Sequence, residues 1–210
     1  MGTVLYIKAS PMGELSFSIV VADAFVDSYR RSHPDDDIEI IDLFKGPLPD
    51  FGFEAAAAKY KIMHSKQHSQ EDREIWGGIV SVVEEFKSVD KYVFAVPMWN
   101  FSIPYRLKQY IDIIVQPGYT FSVTADGKYD GLVRDKPVFI AYARGGRYCD
   151  DAQTQTFDLQ KRYLELILGF IGLTDIRSVV VEPTLAAGPD VAKDAKNDAV
   201  KKAVEMAERF

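Results

Sequence analysis

The chain has 210 residues, of which 47% are hydrophobic and 27% charged, a composition typical of a soluble globular protein with a sizeable core. Its formal net charge is −6, and no block of more than two Lys or Arg residues occurs, which disfavours binding to nucleic-acid phosphates. The single cysteine, Cys149, excludes an internal disulfide framework, and no apolar run is long enough to cross a membrane. The first residues lack the basic and apolar regions of a signal peptide, so we expect a cytoplasmic protein.

Short apolar runs alternate with helical patterns along the whole chain. In chain order, the patterns predict a strand at 3–9, a helix at 18–31, a strand at 37–43, helices at 54–62 and 69–87, a strand at 91–96, a helix at 103–115 with Pro104 in its first turn, a strand at 137–142, a helix at 154–170 closed by Gly172, a strand at 175–181 and a helix at 189–209. The segment 118–133 breaks the alternation. It carries an Ala-Asp-Gly turn signal between short strand-like runs, which predicts a hairpin.

Apolar strands that alternate with helices are typical of a parallel sheet covered on both faces. Right-handed crossovers and five strands favour a flavodoxin-like three-layer α/β/α fold with strand order 2-1-3-4-5 over a six-stranded dinucleotide sheet. We expect one domain over residues 1–210, with the hairpin as an excursion. In such sheets ligands bind beyond the carboxyl ends of the strands, so the loops after the first, third and fourth strands are candidate site segments.

The loop after the first strand, "ASPMGELSFS", opens a helix and carries Ser10, Ser16 and Ser18. The unpaired N–H groups of a helix start attract anions, and the hydroxyls add donors. The Gly-Lys-Ser/Thr of a P-loop and the GxGxxG fingerprint are both absent, which favours one terminal phosphate over a transferred one. The alternative is that Ser16 or Ser18 only caps the helix.

The loop after the third strand, 97–101, places Trp99 and Phe101 on either side of Asn100. Large apolar side chains on an exposed loop indicate a flat ligand, and an amide that donates and accepts suits the pyrimidine edge of a flavin. The alternative is that Met98, Trp99 and Phe101 cap the core or a subunit interface. After the fourth strand, Gly145 and Gly146 would permit positive φ and close approach of a planar ligand, although an ordinary turn would look the same.

Together the three loops fit flavin mononucleotide (FMN), with a phosphate at one end and a flat ring at the other. No metal site is expected. His64 and His68 lie four residues apart, but no accompanying glutamate motif is present, and their surroundings resemble a solvated connection. Cys149 has no histidine nearby in sequence to act as a base, so we interpret it as an incidental thiol.

On these residues the chain resembles the FMN-dependent NADH-azoreductases, also described as NADH:quinone oxidoreductases. The resemblance runs nearly end to end and is carried by Ser10 with Ser16–Phe17–Ser18, by Pro97–Met98–Trp99–Asn100–Phe101, by Gly-Tyr-Thr-Phe at 118–121, by Arg144–Gly145–Gly146 and by Leu-Gly-Phe-Ile-Gly at 168–172.

The resemblance implies an FMN-binding homodimer with active sites at the subunit interface, which uses NADH to reduce quinones or azo compounds in a two-step exchange. It implies that Ser10 and residues 16–18 hold the phosphate, that residues 97–101 and 143–146 surround the ring, and that Phe121 helps to wall the substrate pocket. Ala143 stands where members of the family often have serine, so one hydroxyl that could bond to the flavin ring is missing here. No catalytic acid or base is implied.

Two other functions fit a flavodoxin-like sheet. A flavodoxin would carry single electrons to a protein partner, and a third possibility is an interaction protein that has lost the cofactor. Flavodoxins typically have a Thr-rich phosphate loop and a shorter chain. The serines here, and the additional segments 54–87 and 118–133, favour the enzyme. The choice between NADH and NADPH stays open, because Lys59, Lys61, Arg144 and Arg147 could each meet a 2′-phosphate.

Overall fold

A five-stranded parallel sheet forms the middle layer of the computed structural model, which describes residues 2–148 and 152–210. Its strands are β1 (Thr3–Lys8), β2 (Asp37–Asp42), β3 (Lys91–Pro97), β6 (Val138–Ala143) and β7 (Ile176–Val181), in the order β2-β1-β3-β6-β7. By position this is the predicted order 2-1-3-4-5. The flavodoxin-like topology is therefore confirmed, and Cys149 lies outside the described residues.

The central strands are buried on both faces because their side chains alternate between two cores. In β1, Val4 and Tyr6 belong to the core on one face, while Leu5 and Ile7 belong to the core on the other. Every residue of β6 is buried. The edge strand β2 is half-exposed and carries acidic residues, which suits a strand with one unpaired edge.

Helices cover both faces of the sheet. On one side lie α1 (Phe17–Ser32) and α7 (Pro189–Ala207), and on the other lie α3 (Gln70–Ser88), α4 (Tyr105–Ile114) and α6 (Leu159–Phe170), with α2 (Phe53–Met63) packed on α3. A short helix, α5 (Ala152–Thr156), precedes α6. Within the described ranges, no helix combines the length and apolar character needed to span a membrane.

The predicted hairpin is present and packs against the end of α6. Strands β4 (Phe121–Val123) and β5 (Tyr129–Gly131) pair antiparallel. Gly131 lies so close to the backbone of Gly172 that a Cβ there would be 2.3 Å from the Gly172 nitrogen. Gly172 has a φ of +110°, which closes α6 as the sequence indicated.

Two predicted helices have different starts. The expected helix at 154–170 is two helices, because Asp158 caps α6 by accepting a hydrogen bond from the Lys161 N–H at 3.0 Å. The expected helix at 103–115 begins at Tyr105. Pro104 stands before it with extended backbone (φ −60°, ψ 145°) rather than inside the first turn.

Candidate active site

The first loop places three buried serines around the start of α1. Ser10, Ser16 and Ser18 are 3%, 6% and 0% exposed, and the Ser16 and Ser18 hydroxyls lie 3.0 Å apart. Ser16 occupies the N-cap position, yet its side chain makes no capping hydrogen bond. The capping alternative is therefore wrong for Ser16, and the first N–H groups of α1 remain available to an anion.

The second loop is a tight two-residue turn in a strained conformation. The N–H groups of Trp99 and Ser102 each donate to the other residue's carbonyl at 2.9 Å. Between them, Asn100 and Phe101 have φ values of +48° and +69°. Asparagine tolerates this region, but a bulky aromatic residue there is an outlier that costs about 1–3 kcal/mol, and such strain concentrates at functional sites.

Asn100 lies exposed at the tip of this turn between two groups of aromatic rings. Trp99 contacts Phe44 and Tyr105, at centroid distances of 5.7 and 6.1 Å. Phe101 stacks on Phe157 at 5.1 Å. The Asn100 amide makes no hydrogen bond to any residue that the structure describes, so its N–H donors and its oxygen acceptor are available to a ligand.

The third loop follows β6 and lies against the second, since the Met98 N–H donates to the Ala143 carbonyl at 2.7 Å. Neither Gly145 nor Gly146 has positive φ, so that expectation was wrong; in this pair of loops the positive φ values belong to residues 100 and 101. A Cβ at Gly145 would meet only the Leu185 side chain, at 3.3 Å, and one at Gly146 would make ordinary contact with Tyr148. Packing within the chain does not demand these glycines, which fits close approach by a flat ligand.

Arg144 has a different role from the one expected. Its side chain is 3% exposed and points into the protein, where its guanidinium pairs with Asp158 at 2.6 Å and with Glu182 at 3.4 Å. Its Nε also donates to Gln160 Oε1 at 3.0 Å. The guanidinium is therefore an internal brace for the loop and does not face a ligand.

A groove of about 870 Å³ begins at Trp99 and Asn100 and continues along α4 to Asp112 and Tyr163. This volume lies within the range of small-molecule sites. Burial raises the pKa of the Tyr163 hydroxyl in its wall.

Three of the four basic residues considered for a 2′-phosphate already have partners. The Lys59 ammonium donates to Gln116 Oε1 at 2.7 Å, and burial lowers its pKa. Lys61 pairs with Asp72 at 2.8 Å, and Arg144 is engaged as described above. Arg147 is exposed.

Phe121 lies at the opposite end of the sheet from the other predicted site residues. Its ring is 4.8 Å from that of Phe170, the last residue of α6, whereas the first residue of α6, Leu159, donates to the Phe101 carbonyl at 3.0 Å. A helix of 12 residues is roughly 18 Å long. Phe121 therefore does not reach the site of its own chain.

The sequence reading missed the residues that join the loops, namely Asp158, Gln160 and Glu182. An aspartate before an apolar run, such as Asp158, is a helix-start signal. Because the apolar periodicity continues across Phe157, the pattern predicted one helix at 154–170 and not the two that the structure has. No local pattern reveals that Arg144 pairs with a carboxylate 38 residues away.

The histidines of the 64–68 segment each contact a nearby carbonyl. His64 Nδ1 lies 2.9 Å from the Tyr60 oxygen, and His68 Nδ1 lies 2.9 Å from the Lys66 oxygen. Among residues 2–148 and 152–210, no three His, Cys, Asp or Glu side chains are grouped to hold a metal ion.

The fold and these loops define a flavodoxin-like protein, and comparison with known proteins agrees. The profile of a family described as "Flavodoxin-like fold" matches residues 2–207. A protein of Nitratidesulfovibrio vulgaris (strain DP4) named "FMN-dependent NADH:quinone oxidoreductase" is 53% identical over 210 residues, which cover 100% of both chains.

Solved structures give the same result. An azoreductase from Bacillus anthracis strain Sterne superposes with a TM-score of 0.91 at 30% identity over 100% of both chains. An FMN-dependent NADH-azoreductase from Bacillus anthracis strain Ames Ancestor, solved in complex with FMN, has a TM-score of 0.87 at 27% identity over 99% of this chain and 100% of that one. The chain belongs to the family of FMN-dependent NADH:quinone oxidoreductases.

Proposed function

We propose that the protein is an FMN-dependent oxidoreductase that transfers two electrons from NADH to a quinone or an azo compound. The observation that carries the proposal is the convergence of three features at the carboxyl edge of the sheet. These are the serine-lined start of α1, the strained turn at Asn100 and Phe101, and the loop at Gly145 and Gly146. The names of the relatives support the same activity.

Each loop has a separate task in binding the cofactor. Ser10, Ser16, Ser18 and the first N–H groups of α1, including that of Phe17, would hold the phosphate. Residues 97–101 and the backbone of residues 143–146 would surround the ring, with the Asn100 amide at its polar edge. When bound there, FMN would supply the flat ring that takes up hydride from NADH and gives the electron pair to the second substrate.

The backbone of the two ring loops can stabilise the negative charge that accompanies the electron pair. The Trp99 N–H is committed to the turn, which leaves the N–H groups of Asn100, Phe101, Gly145 and Gly146. Fixed backbone donors aimed at a developing charge are an effective means of stabilisation, because they do not reorganise during the reaction. The chain needs no acid or base for this step, and water can provide the protons.

We further propose that the enzyme works as a homodimer in the cytoplasm. Within one chain Phe121 lies about a helix length from Phe101, so Phe121 can wall the pocket only if a second copy brings its hairpin there. The single cysteine suits a reducing compartment. The engagement of Lys59, Lys61 and Arg144 supports NADH as the donor.

Steady-state kinetics test the reaction. If NADH leaves before the acceptor enters, double-reciprocal plots at several acceptor concentrations give parallel lines. Intersecting lines would contradict this order. If NADH did not reduce the bound flavin at all, the protein would instead be a single-electron carrier.

Mixed dimers test the shared pocket. We expect Asn100→Gly and Phe121→Ala to be poorly active as homodimers, and their mixture, after unfolding and refolding together, to recover activity. Recovery follows because one of the two sites in a mixed dimer carries neither substitution. If the mixture were no more active than the average of the two parents, Phe121 would not act across the interface.

A further inference from the structure

Three consecutive residues at the start of α6 each bond to a loop of the candidate site. The Asp158 carboxylate pairs with Arg144 at 2.6 Å, and the Leu159 N–H donates to the Phe101 carbonyl at 3.0 Å. Gln160 bonds to the end of β3, directly before the loop 97–101, and to the side chain of Arg144 in the loop 143–146. Its Nε2 donates to the Val96 carbonyl at 2.9 Å, and its Oε1 accepts from Arg144 Nε at 3.0 Å. We call residues 158–160 the α6 clasp.

Gln160 occupies a position where the helix pattern calls for an apolar side chain. The inward stripe of α6 consists of Gln160, Leu164 and Leu168, and Gln160 is 0% exposed. A buried amide is costly unless both of its ends are bonded, and here both are. A leucine would continue the core but would leave the Val96 carbonyl and the Arg144 Nε without this partner.

The bonds of the clasp act on the strained part of the site. Val96 precedes the loop 97–101, and Phe101 has a φ of +69°. Backbone in this region persists only when its surroundings hold it there. The same amide also contacts Arg144, whose carbonyl accepts from the Thr184 N–H at 2.9 Å and from the Thr184 hydroxyl at 3.0 Å, so the third loop is fixed as well.

We propose that Gln160 is a positioning residue that sets the spacing between the loop 97–101 and the loop 143–146, and thereby the affinity and potential of the flavin held between them. This inference rests on the proposed placement of the flavin between those loops. Gln160 itself does not touch the ring, since it acts through Val96 and Arg144.

The test compares two buried glutamines. Gln160→Met keeps the length of the side chain and removes both hydrogen bonds. The matched control is Gln116→Met, because Gln116 is 1% exposed and its amide is bonded at both ends, donating to the carbonyls of Asp112 and Ile113 and accepting from Lys59. Gln116 lines the far end of the groove and bonds to neither the loop 97–101 nor the loop 143–146, so FMN affinity rather than turnover is compared. The measurements are the Kd for FMN of the apoprotein, the midpoint potential of the bound flavin, and the apoprotein Tm.

We expect both variants to have a lower apoprotein Tm. Gln160→Met should also raise the FMN Kd at least tenfold and shift the flavin potential, whereas Gln116→Met should leave the Kd within twofold of the wild type. A Gln160→Met protein with unchanged Kd and potential would overturn the inference. Equal increases in Kd for both variants would overturn it too, since the effect would then reflect general loosening.

Two further variants keep the outcome decisive. If Gln160→Met does not fold, Gln160→Glu decides, because the carboxylate can still accept from Arg144 Nε but cannot donate to the Val96 carbonyl. The same direction of change in Kd is expected, and no change would overturn the inference. Asn100→Gly checks the flavin placement. If it raises the Kd while the variants of the clasp do not, only the inference about Gln160 fails, and if it has no effect, the placement itself is wrong.

Discussion

The conformation of the turn at residues 99–102 predicts that Phe101→Gly is more stable than Phe101→Ala. At most positions the alanine variant is the more stable of the two. Phe101 has a φ of +69° and is 44% exposed. Removing a half-buried phenylalanine ring costs about 1–1.5 kcal/mol. Alanine keeps the left-handed strain of about 1–2 kcal/mol, which glycine relieves. Glycine in turn increases the conformational entropy of the unfolded chain, which lowers the free energy of unfolding by about 0.4–1 kcal/mol.

The net expectation is that Phe101→Gly is more stable than Phe101→Ala by about 0.5–1 kcal/mol, which for a chain of this size corresponds to a Tm difference of roughly 1–4 °C. Urea unfolding of the FMN-free protein measures it, because bound ligand would add its own stabilisation. Both variants should bind FMN and turn over less well than the wild type, since both lack the ring.

Phe157 supplies the control. It is 42% exposed, stacks on Phe101, and does not have positive φ. There the ordinary order should return, with Phe157→Ala more stable than Phe157→Gly. If Phe101→Gly were less stable than Phe101→Ala, the turn would not be strained, and the reasoning about position 101 would be refuted.

The remaining predictions concern the helix starts and the buried brace. Ser16→Ala with Ser18→Ala should weaken FMN binding, measured by flavin titration, by a few kcal/mol at most. The apoprotein Tm should change little, because the Ser16 side chain makes no capping hydrogen bond. Ser69→Ala, in contrast, should lower the free energy of unfolding by about 1 kcal/mol without affecting FMN binding, because Ser69 caps α3. Arg144→Ala should lower the free energy of unfolding by about 3–5 kcal/mol, since it removes the cation that pairs with two mostly buried carboxylates, those of Asp158 and Glu182; a loss below 1 kcal/mol in urea titrations would contradict the brace. A paired lysine lowers the pKa of Asp72 to about 2, so this carboxylate stabilises the fold above the ordinary pKa near 4, and the stabilisation is lost as the pH falls through about 2. The stability gap between the wild type and Asp72→Asn should therefore narrow between pH 5 and pH 3, and a gap that does not change would show that Asp72 is unperturbed.

The sheet and the position of its loops were predictable because they depend on local patterns. Each strand is a short apolar run, and parallel strands that alternate with helices leave few topologies. The same rule placed the candidate site at the carboxyl edge of the sheet, where Asn100 and Gly145 lie. The hairpin was predictable from its turn residues, and Gly127 indeed has a φ of +79°.

The details that the sequence could not predict depend on contacts between distant segments. Positive φ was expected at Gly145 and is found at Phe101, where the mutual hydrogen bonds of the turn impose it. Arg144 was read as facing a ligand because its partners at 158 and 182 are remote in sequence. Phe121 was assigned to the pocket through family resemblance. Only the three-dimensional path of α4 and the hairpin shows that, within one subunit, Phe121 lies at the end of α6 that is distant from the loops of the site.

The most direct test of the central claim is the visible absorption spectrum of the purified protein without oxygen, recorded before and after NADH is added. We predict flavin bands that bleach completely on addition of NADH and return when a quinone is supplied. Flavin bands that persist with NADH would contradict the oxidoreductase and favour a single-electron carrier. A protein that stays colourless after incubation with FMN would contradict the assignment of all three loops.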